Sequence, residues 1–330
     1  MSRNAALVWA MATVLATACG EPPATTPDAE LPDAAAPAVD AGPGYEAADW
    51  LFDDTHVLTV ELTLAPADWD ALRTQSRNVL SVLGEGCGEA PAVSPFTYVP
   101  ATITIDGATT AQVGLRKKGF LGSLDPIRPS LIVDFDRYVD GQAFSGLRKL
   151  TLNNNKQDPG LVDQCLGYQL FAAAGVPAPR CTFAAVSVNG EDLGVYTHVE
   201  RVEPPMLARH FADASGTLFE GTLSDFRDGW MGTFEPKTNE GAPDVAALER
   251  VRAALALADD DAMAAAVEAA VDVDRFLRFW AIETMTAHWD GYAGNDNNFF
   301  VYADPTGGKL TFLPWGTDQL FGPGSPGIPG

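Results

Sequence analysis

The feature that most restricts this chain is a series of apolar–polar alternations that turn back on themselves. His56 to Leu64 reads HVLTVELTL, with Leu58, Val60, Leu62 and Leu64 on one side. That period of two belongs to a strand with one buried face. Thr97 to Ile105 and Ala111 to Arg116 flank Asp106-Gly107, and Phe183 to Val188 and Gly194 to Glu200 flank Asn189-Gly190. Such pairs accept the positive φ angles of a tight hairpin turn. The first hairpin is expected to carry extra loop residues, because its alternation resumes only at Ala111. Leu131 to Phe135 and Leu147 to Leu152 add strands. Asn298 to Tyr302 and Leu310 to Leu313, joined through Asp304 to Gly308, form a last hairpin.

The remaining patterns are helical. APADWDALRTQS follows the first strand. Gly160 to Ala174 is apolar at helical spacing and stops at Gly175-Val176-Pro177, a helix end followed by a breaker. After Pro204 the pattern is mainly helical, over Val245 to Leu257, Asp260 to Ala270 and Val273 to Ala287. The expectation is an α+β fold with a strand-rich N-terminal part and a helix-rich C-terminal part ending in a β-hairpin.

Residues 1–18 carry Arg3, an apolar run and then small residues, the pattern of a secretory signal peptide. Ala18-Cys19-Gly20 resembles a lipobox, so Cys19 is expected to become a lipid-modified N-terminus. Residues 19–48 are rich in Ala, Pro and Asp and read as a flexible tether, leaving 49–330 as the folded domain. The expected location is the cell envelope, outside the cytoplasm, with membrane contact through the lipid anchor only. In that setting Cys165 and Cys181 are expected to pair, leaving Cys87 as a thiol. With 21 Lys and Arg against 44 Asp and Glu, the net charge is -23. That excludes a nucleic-acid partner held by phosphate neutralisation.

The densest polar cluster runs from His288 to Asn298, between a helix and the last hairpin, and Asp318 follows that hairpin. A two-stranded return brings Asp318 toward Asp290, Asn295 and Asn298. Carboxylate and amide oxygens suit a hard cation that also takes phosphate. Protein kinases use this order: an Asp–Asn loop, a hairpin, then a metal-binding Asp. The competing reading is an Asx-turn loop with no ligand.

Other segments add to this. They are Val113 to Gly119 with Arg116, Lys117 and Lys118; Arg128-Pro129-Ser130; Leu152-Asn153-Asn154; Ala174 to Arg180; Val188-Asn189-Gly190 with Gly194-Val195-Tyr196 and Glu200; and Pro314-Trp315 with Asp318. In this order they resemble the CotH family, the spore-coat-protein-H-like proteins, from about Val113 to Gly322. The resemblance implies an atypical protein-kinase-like fold, ATP with Mg²⁺ or Mn²⁺ (or Ca²⁺) as cofactors, and a secreted or surface protein as the Ser/Thr substrate. It implies that Arg116, Lys117, Gly119 and Arg128 face the nucleotide phosphates, with Lys118 beside them. Asp290 would be the catalytic carboxylate, and Asn295 or Asn298 with Asp318 would hold the metal.

This sequence departs from the family pattern in places. Gly316 stands where the family often has Asp, Ile132 at a basic position, and Gln164 where a helix Glu often pairs with the nucleotide-binding Lys. Family domains generally continue with more helix, so either the domain is a shortened form or the sequence is incomplete at Gly330. These departures favour an alternative, a degenerate kinase-like module that binds or builds at the surface. Several side chains also have structural readings. Lys117 and Lys118 suit solvated strand positions. Asn153 and Asn154 either cap the next helix or line the site. Glu200 is expected to pair with Arg201 or cap a helix, and Trp289 and Trp315 to pack.

Overall fold

The computed structural model describes residues 45–78 and 88–322. The expected signal peptide, Cys19, the tether as far as residue 44, and Cys87 lie outside them. Tyr45–Phe52 forms a 3₁₀ helix whose Ala48 and Leu51 are buried in the core.

Seven strands close into a barrel. They are β1 (Val57–Thr63), β2 (Val99–Ile105), β3 (Ala108–Lys118), β4 (Ser130–Asp134), β5 (Lys149–Asn153), β6 (Cys181–Val188) and β7 (Glu191–Val199), in the order β1-β2-β3-β4-β5-β7-β6. Parallel pairing of Val57–Leu62 with Phe183–Val188 closes the ring. The alternation fixes which face points in. Leu58, Val60, Leu62, Ile103, Val113, Leu115, Val133 and Leu150 form one core. Each such side chain contributes roughly 1.5–3 kcal/mol by leaving water. A slip of one residue would turn each set outward.

The Asp106-Gly107 hairpin is tighter than its sequence suggested. Ile105 pairs directly with Ala108, and both turn residues have positive φ, 47° and 84°. The strand resumes before apolar alternation does, because Ala108 to Gln112 lie on an exposed stretch where no pattern is needed.

The second half holds a four-stranded sheet in the order β11-β10-β8-β9, from β8 (Thr217–Gly221), β9 (Glu235–Pro236), β10 (Phe299–Ala303) and β11 (Leu310–Pro314). The segment after Pro204 is therefore less purely helical than its pattern implied. Helices α1 (Pro66–Thr74), α2 (Asp163–Ala173), α3 (Pro204–His210), α4 (Val245–Leu255), α5 (Asp260–Ala270), α6 (Val273–Met285) and the single turn α7 (Tyr292–Asn295) complete the described elements. Three of them start where an Asp accepts a backbone N–H of the first turn: Asp244 for α4, Asp259 for α5 and Asp272 for α6. Phe171, Phe279, Phe299 and Phe312 form the core of this half. The fold is thus α+β, strand-rich then helix-rich, with a terminal hairpin.

Helix α2 ties the halves together. Cys165 and Cys181 form the expected disulfide to β6. On the other side Phe171 packs on Phe279 with ring centroids 5.5 Å apart. Glu200 takes partners other than those expected. Its buried carboxylate binds Arg180 and Arg209, while Arg201 pairs with Glu203. Arg201 is drawn away because Glu203 lies only two residues on, whereas the β6–β7 pairing brings Arg180 to Glu200.

Candidate functional site

The last hairpin does what its spacing required. Phe299 pairs with Pro314, and the Trp315 N–H donates to the Asn298 carbonyl at 3.1 Å. The segment after β11 therefore returns to the loop before β10. Asp290 lies in that loop and its carboxylate collects three amides. Asn295 Nδ2 donates to Oδ1 at 2.8 Å, Asn297 Nδ2 to Oδ1 at 3.2 Å, and Asn298 Nδ2 to Oδ2 at 2.9 Å. With Nδ2 turned to Asp290, the amide oxygens of Asn295 and Asn298 are free to face a cation. Burial pushes the Asp290 carboxyl above its usual range, and the three amides work against that.

Asp318 is half-buried beside it. Its carboxyl is pushed up to about 6, first by burial and then by the charge of Asp290, while its own backbone N–H, Lys118 and His288 pull it down. A buried carboxylate raised further by a neighbouring one is an environment that a cation relieves. The donor set of Asp290, Asp318 and the Asn298 amide oxygen fits Mg²⁺ or Mn²⁺ in its oxygen chemistry. Among the described residues, no group of three or more His, Cys, Asp or Glu gathers to hold a metal.

The loop is braced from below by Glu283 on α6, a residue sequence reasoning did not single out. Its Oε1 accepts the Tyr292 N–H at 3.0 Å and its Oε2 the Ala293 N–H at 2.7 Å. His288 stands between this carboxylate and the Asp318 segment, with Nε2 3.3 Å from the Gly316 carbonyl and Nδ1 3.6 Å from Glu283 Oε1. Burial alone would lower the His288 pKa, but Glu283 outweighs it and the net shift is upward. The sequence placed His288 only between a helix and the last hairpin, with nothing to mark Glu283 as its partner. Gly291 is fixed by the same contact, since a Cβ there would meet Glu283 Oε1 at 2.4 Å. Gly316 is fixed likewise. Its φ is +55°, and a Cβ would lie 2.5 Å from Asn298 Oδ1. An aspartate at this position would require the Asn298 side chain to move.

The barrel contributes the opposite wall through β3. Strand alternation places Lys117 inside the barrel and Arg116 and Lys118 outside. Lys117 is 2% exposed, and its Nζ donates to the Arg73 and Gln75 carbonyls, both at 2.7 Å, just beyond α1. It is a structural cation that closes a helix end. Lys118 is the lysine that faces the cleft. Its Nζ lies 5.6 Å from the Trp315 ring centroid and donates to Asn153 Oδ1 at 2.5 Å. Asn153 Nδ2 in turn donates to Gln164 Oε1 at 2.8 Å. Burial lowers the Lys118 pKa to about 8, with Asp318 opposing that shift. Asn153 thus lines the site, and Gln164 ends a neutral relay where an ion pair would otherwise stand. Asn154 instead binds the Ser123 and Arg128 carbonyls.

The remaining sequence candidates take other partners. Arg116 lies over Tyr98 at 5.1 Å, with Nη1 3.3 Å from Ser94 Oγ. Arg128 donates to the Val195 carbonyl at 2.8 Å and lies over Tyr196. Gly119 has φ +127° and packs on Ser123, so it shapes the turn after Lys118. Trp289 is half-buried and Trp315 packs against Phe300 and Tyr168. Tyr168 is buried beside Thr317, and the Thr317 hydroxyl donates to the Gln164 carbonyl.

Strand β3 and the segments flanking the last hairpin thus bring one lysine near Asp318, and Asp318 near Asp290. Residues 115–326 match the family described as CotH kinase protein. This chain belongs to the CotH family. It is 26% identical over 212 residues to inner spore coat protein H of Bacillus subtilis, a stretch covering 59% of this chain and 58% of that protein. It is 28% identical over 191 residues to invasin CotH2 of Rhizopus delemar, covering 52% of this chain and 32% of that protein. Invasin CotH3 of the same fungus is 26% identical over 189 residues, 52% of this chain and 31% of that protein. The chain therefore spans just over half of the first relative and about a third of the invasins.

Proposed function

We propose that this chain is an exported, lipid-anchored CotH module of the cell envelope that acts as a surface binding or structural protein. Its cleft binds ATP with Mg²⁺ or Mn²⁺ but lacks parts that rapid phosphoryl transfer requires. One observation carries the reading: the charges of the cleft are held by neutral partners. Both Asp290 oxygens accept amide N–H groups, so lone pairs that would receive a hydroxyl proton are already engaged. Lys118 is held through Asn153 to Gln164 and has no helix carboxylate to keep it charged and aimed. Gly316 leaves Asp318 as the single carboxylate after the hairpin. The names of the relatives, a spore coat protein and invasins, support a role at a surface.

In this reading Asp318 and the amide oxygen of Asn298 or Asn295 hold the metal and Lys118 meets a phosphate. Bound metal would neutralise phosphate charge, and Glu283 and His288 keep the Asp290 loop in register with Asp318.

A second reading, a protein Ser/Thr kinase, is favoured by the convergence of Lys118, Asp290 and Asp318. Phosphoryl transfer is mostly positioning and charge neutralisation, so these three parts count toward it. One experiment separates the two. The purified chain is incubated with labelled ATP and Mg²⁺ or Mn²⁺, alone and with an envelope protein fraction, while thermal unfolding is followed in parallel. A nucleotide-dependent rise in melting temperature without labelled protein supports the first reading. Labelled product that disappears in Asp290→Asn establishes the second.

A further inference from the structure

A chain with twice as many acids as bases has carboxylates to spare, so a guanidinium without one is informative. Among the described residues, Arg77 and Arg116 form no ion pair. Both have a buried Nε without a hydrogen-bond partner. Arg77 lies 5.1 Å from the Phe120 ring centroid and 5.9 Å from that of Phe96, and its Nη1 donates to the Val93 carbonyl. Arg116 lies 5.1 Å from the Tyr98 centroid and reaches Ser94. The two guanidiniums anchor on consecutive residues, Val93 and Ser94, and Arg116 adds to the burial that lowers the Arg77 pKa. Glu235 also acts on Arg77, but Lys237 pairs with that carboxylate at 2.7 Å. Aromatic faces thus hold two like-charged forks side by side on the barrel lip, next to Lys118.

We propose that this lip docks an acidic peptide segment, an Asp or Glu carboxylate of a partner protein being received between Arg77 and Arg116. The proposal names the partner chemistry of the surface-binding role and rests on that reading. Stacked guanidinium groups are pre-organised, and their planar fork matches a carboxylate with two N–H donors. Two adjacent cations repel, and an anion between them removes that repulsion. The overall negative charge does not forbid the encounter, because charges beyond about 8 Å are screened at physiological ionic strength.

The test uses the full chain and three fluorescent dodecapeptides that alternate Ser with Glu, Gln or Lys. The expected result is binding of the Glu peptide in preference to both others. In the double variant Arg77→Gln/Arg116→Gln that affinity falls about tenfold, while Arg77→Lys/Arg116→Lys retains most of it. The melting shift with Mg²⁺-ATP is the same in all three proteins. Equal binding of the Glu and Gln peptides, or an unchanged affinity in the Gln pair, overturns the proposal. So does displacement of the peptide by Mg²⁺-ATP, which assigns both arginines to nucleotide phosphate. If the Gln pair does not fold, salt decides: affinity of the wild type that is unchanged from about 50 to about 200 mM salt also overturns it. Peptide binding without any nucleotide shift supports the lip while removing the nucleotide part of the proposed function.

Discussion

Lys117 and Lys118 are neighbours in sequence and opposites in environment. Lys117 turns into the barrel and meets two carbonyls that need a cation. Lys118 turns toward Trp315 and meets a neutral amide; burial lowers both lysine pKa values, that of Lys118 to about 8. The contrast extends to the regions they serve. Burial also shifts barrel groups against their charged forms, Lys117 downward and Asp134 up to about 6, but only around the last hairpin do three such groups, Lys118, Asp290 and Asp318, act on one another. Perturbed groups that converge in one cleft are a physical pointer to ligand binding.

The comparison breaks most visibly at Glu283. Glu283→Ala leaves two buried N–H groups without acceptors and removes the partner of His288. The expected loss is roughly 4 kcal/mol in chemical denaturation, together with loss of nucleotide binding. Glu283→Gln, which keeps one acceptor oxygen, is expected to recover part of both. A variant that melts like wild type and still binds nucleotide would remove Glu283 from the account.

The link between the two regions comes next. The bridge from Cys165 to Cys181 closes a short loop, and replacing both with Ser is expected to lower unfolding free energy by about 3 kcal/mol. Circular dichroism against temperature measures it, and an unchanged midpoint would mean that α2 is held by packing alone.

The lysine pair then sharpens the contrast directly. Lys117→Ala is expected to destabilise by roughly 2 to 3 kcal/mol, since it strands the Arg73 and Gln75 carbonyls. Lys118→Ala is expected to stay within about 0.5 kcal/mol of wild type, because it also removes a half-desolvated cation. Equal losses in urea titrations would contradict the assignment of one lysine to structure and the other to the cleft.

The smallest expected effect concerns His198, where the barrel behaves like the cleft. His198 is 1% exposed and stacks on Phe52 at 4.7 Å, and burial depresses its pKa to about 4. A depressed imidazole pKa means that the unfolded chain binds the extra proton between about 4 and 6.5. Stability is therefore full above the upper value and falls as pH drops through this window. The expected loss from pH 6.5 to 5 is about 2 kcal/mol. His198→Gln is expected to flatten that segment of the profile, and an unchanged slope would place the acid sensitivity elsewhere.

Much of this was legible in the sequence because period and turn chemistry carry it. The β1 alternation, the Asn189-Gly190 turn and the return of the last hairpin to the Asp290 loop all follow from local rules. Strands β8 and β9 were not legible, since they are short and take their register from neighbours, β8 from β10 and β9 from β8. The inward turn of Lys117 had a signal: Val113 and Leu115 share its parity on β3, but a charged side chain hides membership of an apolar face. The role of Glu283 could not be read, because a glutamate in a helix is ordinarily solvated. The partners of Glu200 depend on strand pairing that sequence neighbours do not reveal.

The central claim is that Lys118, Asp290 and Asp318 form one nucleotide–metal site without fast transfer chemistry. Its most direct measurement is the melting temperature of the full chain with and without Mg²⁺-ATP, for wild type and Lys118→Met, with phosphate incorporation counted in the same samples. The account predicts a rise in the wild type, none in the variant, and no incorporated phosphate in either. Equal rises in both proteins, or no rise in the wild type at millimolar nucleotide, would contradict it.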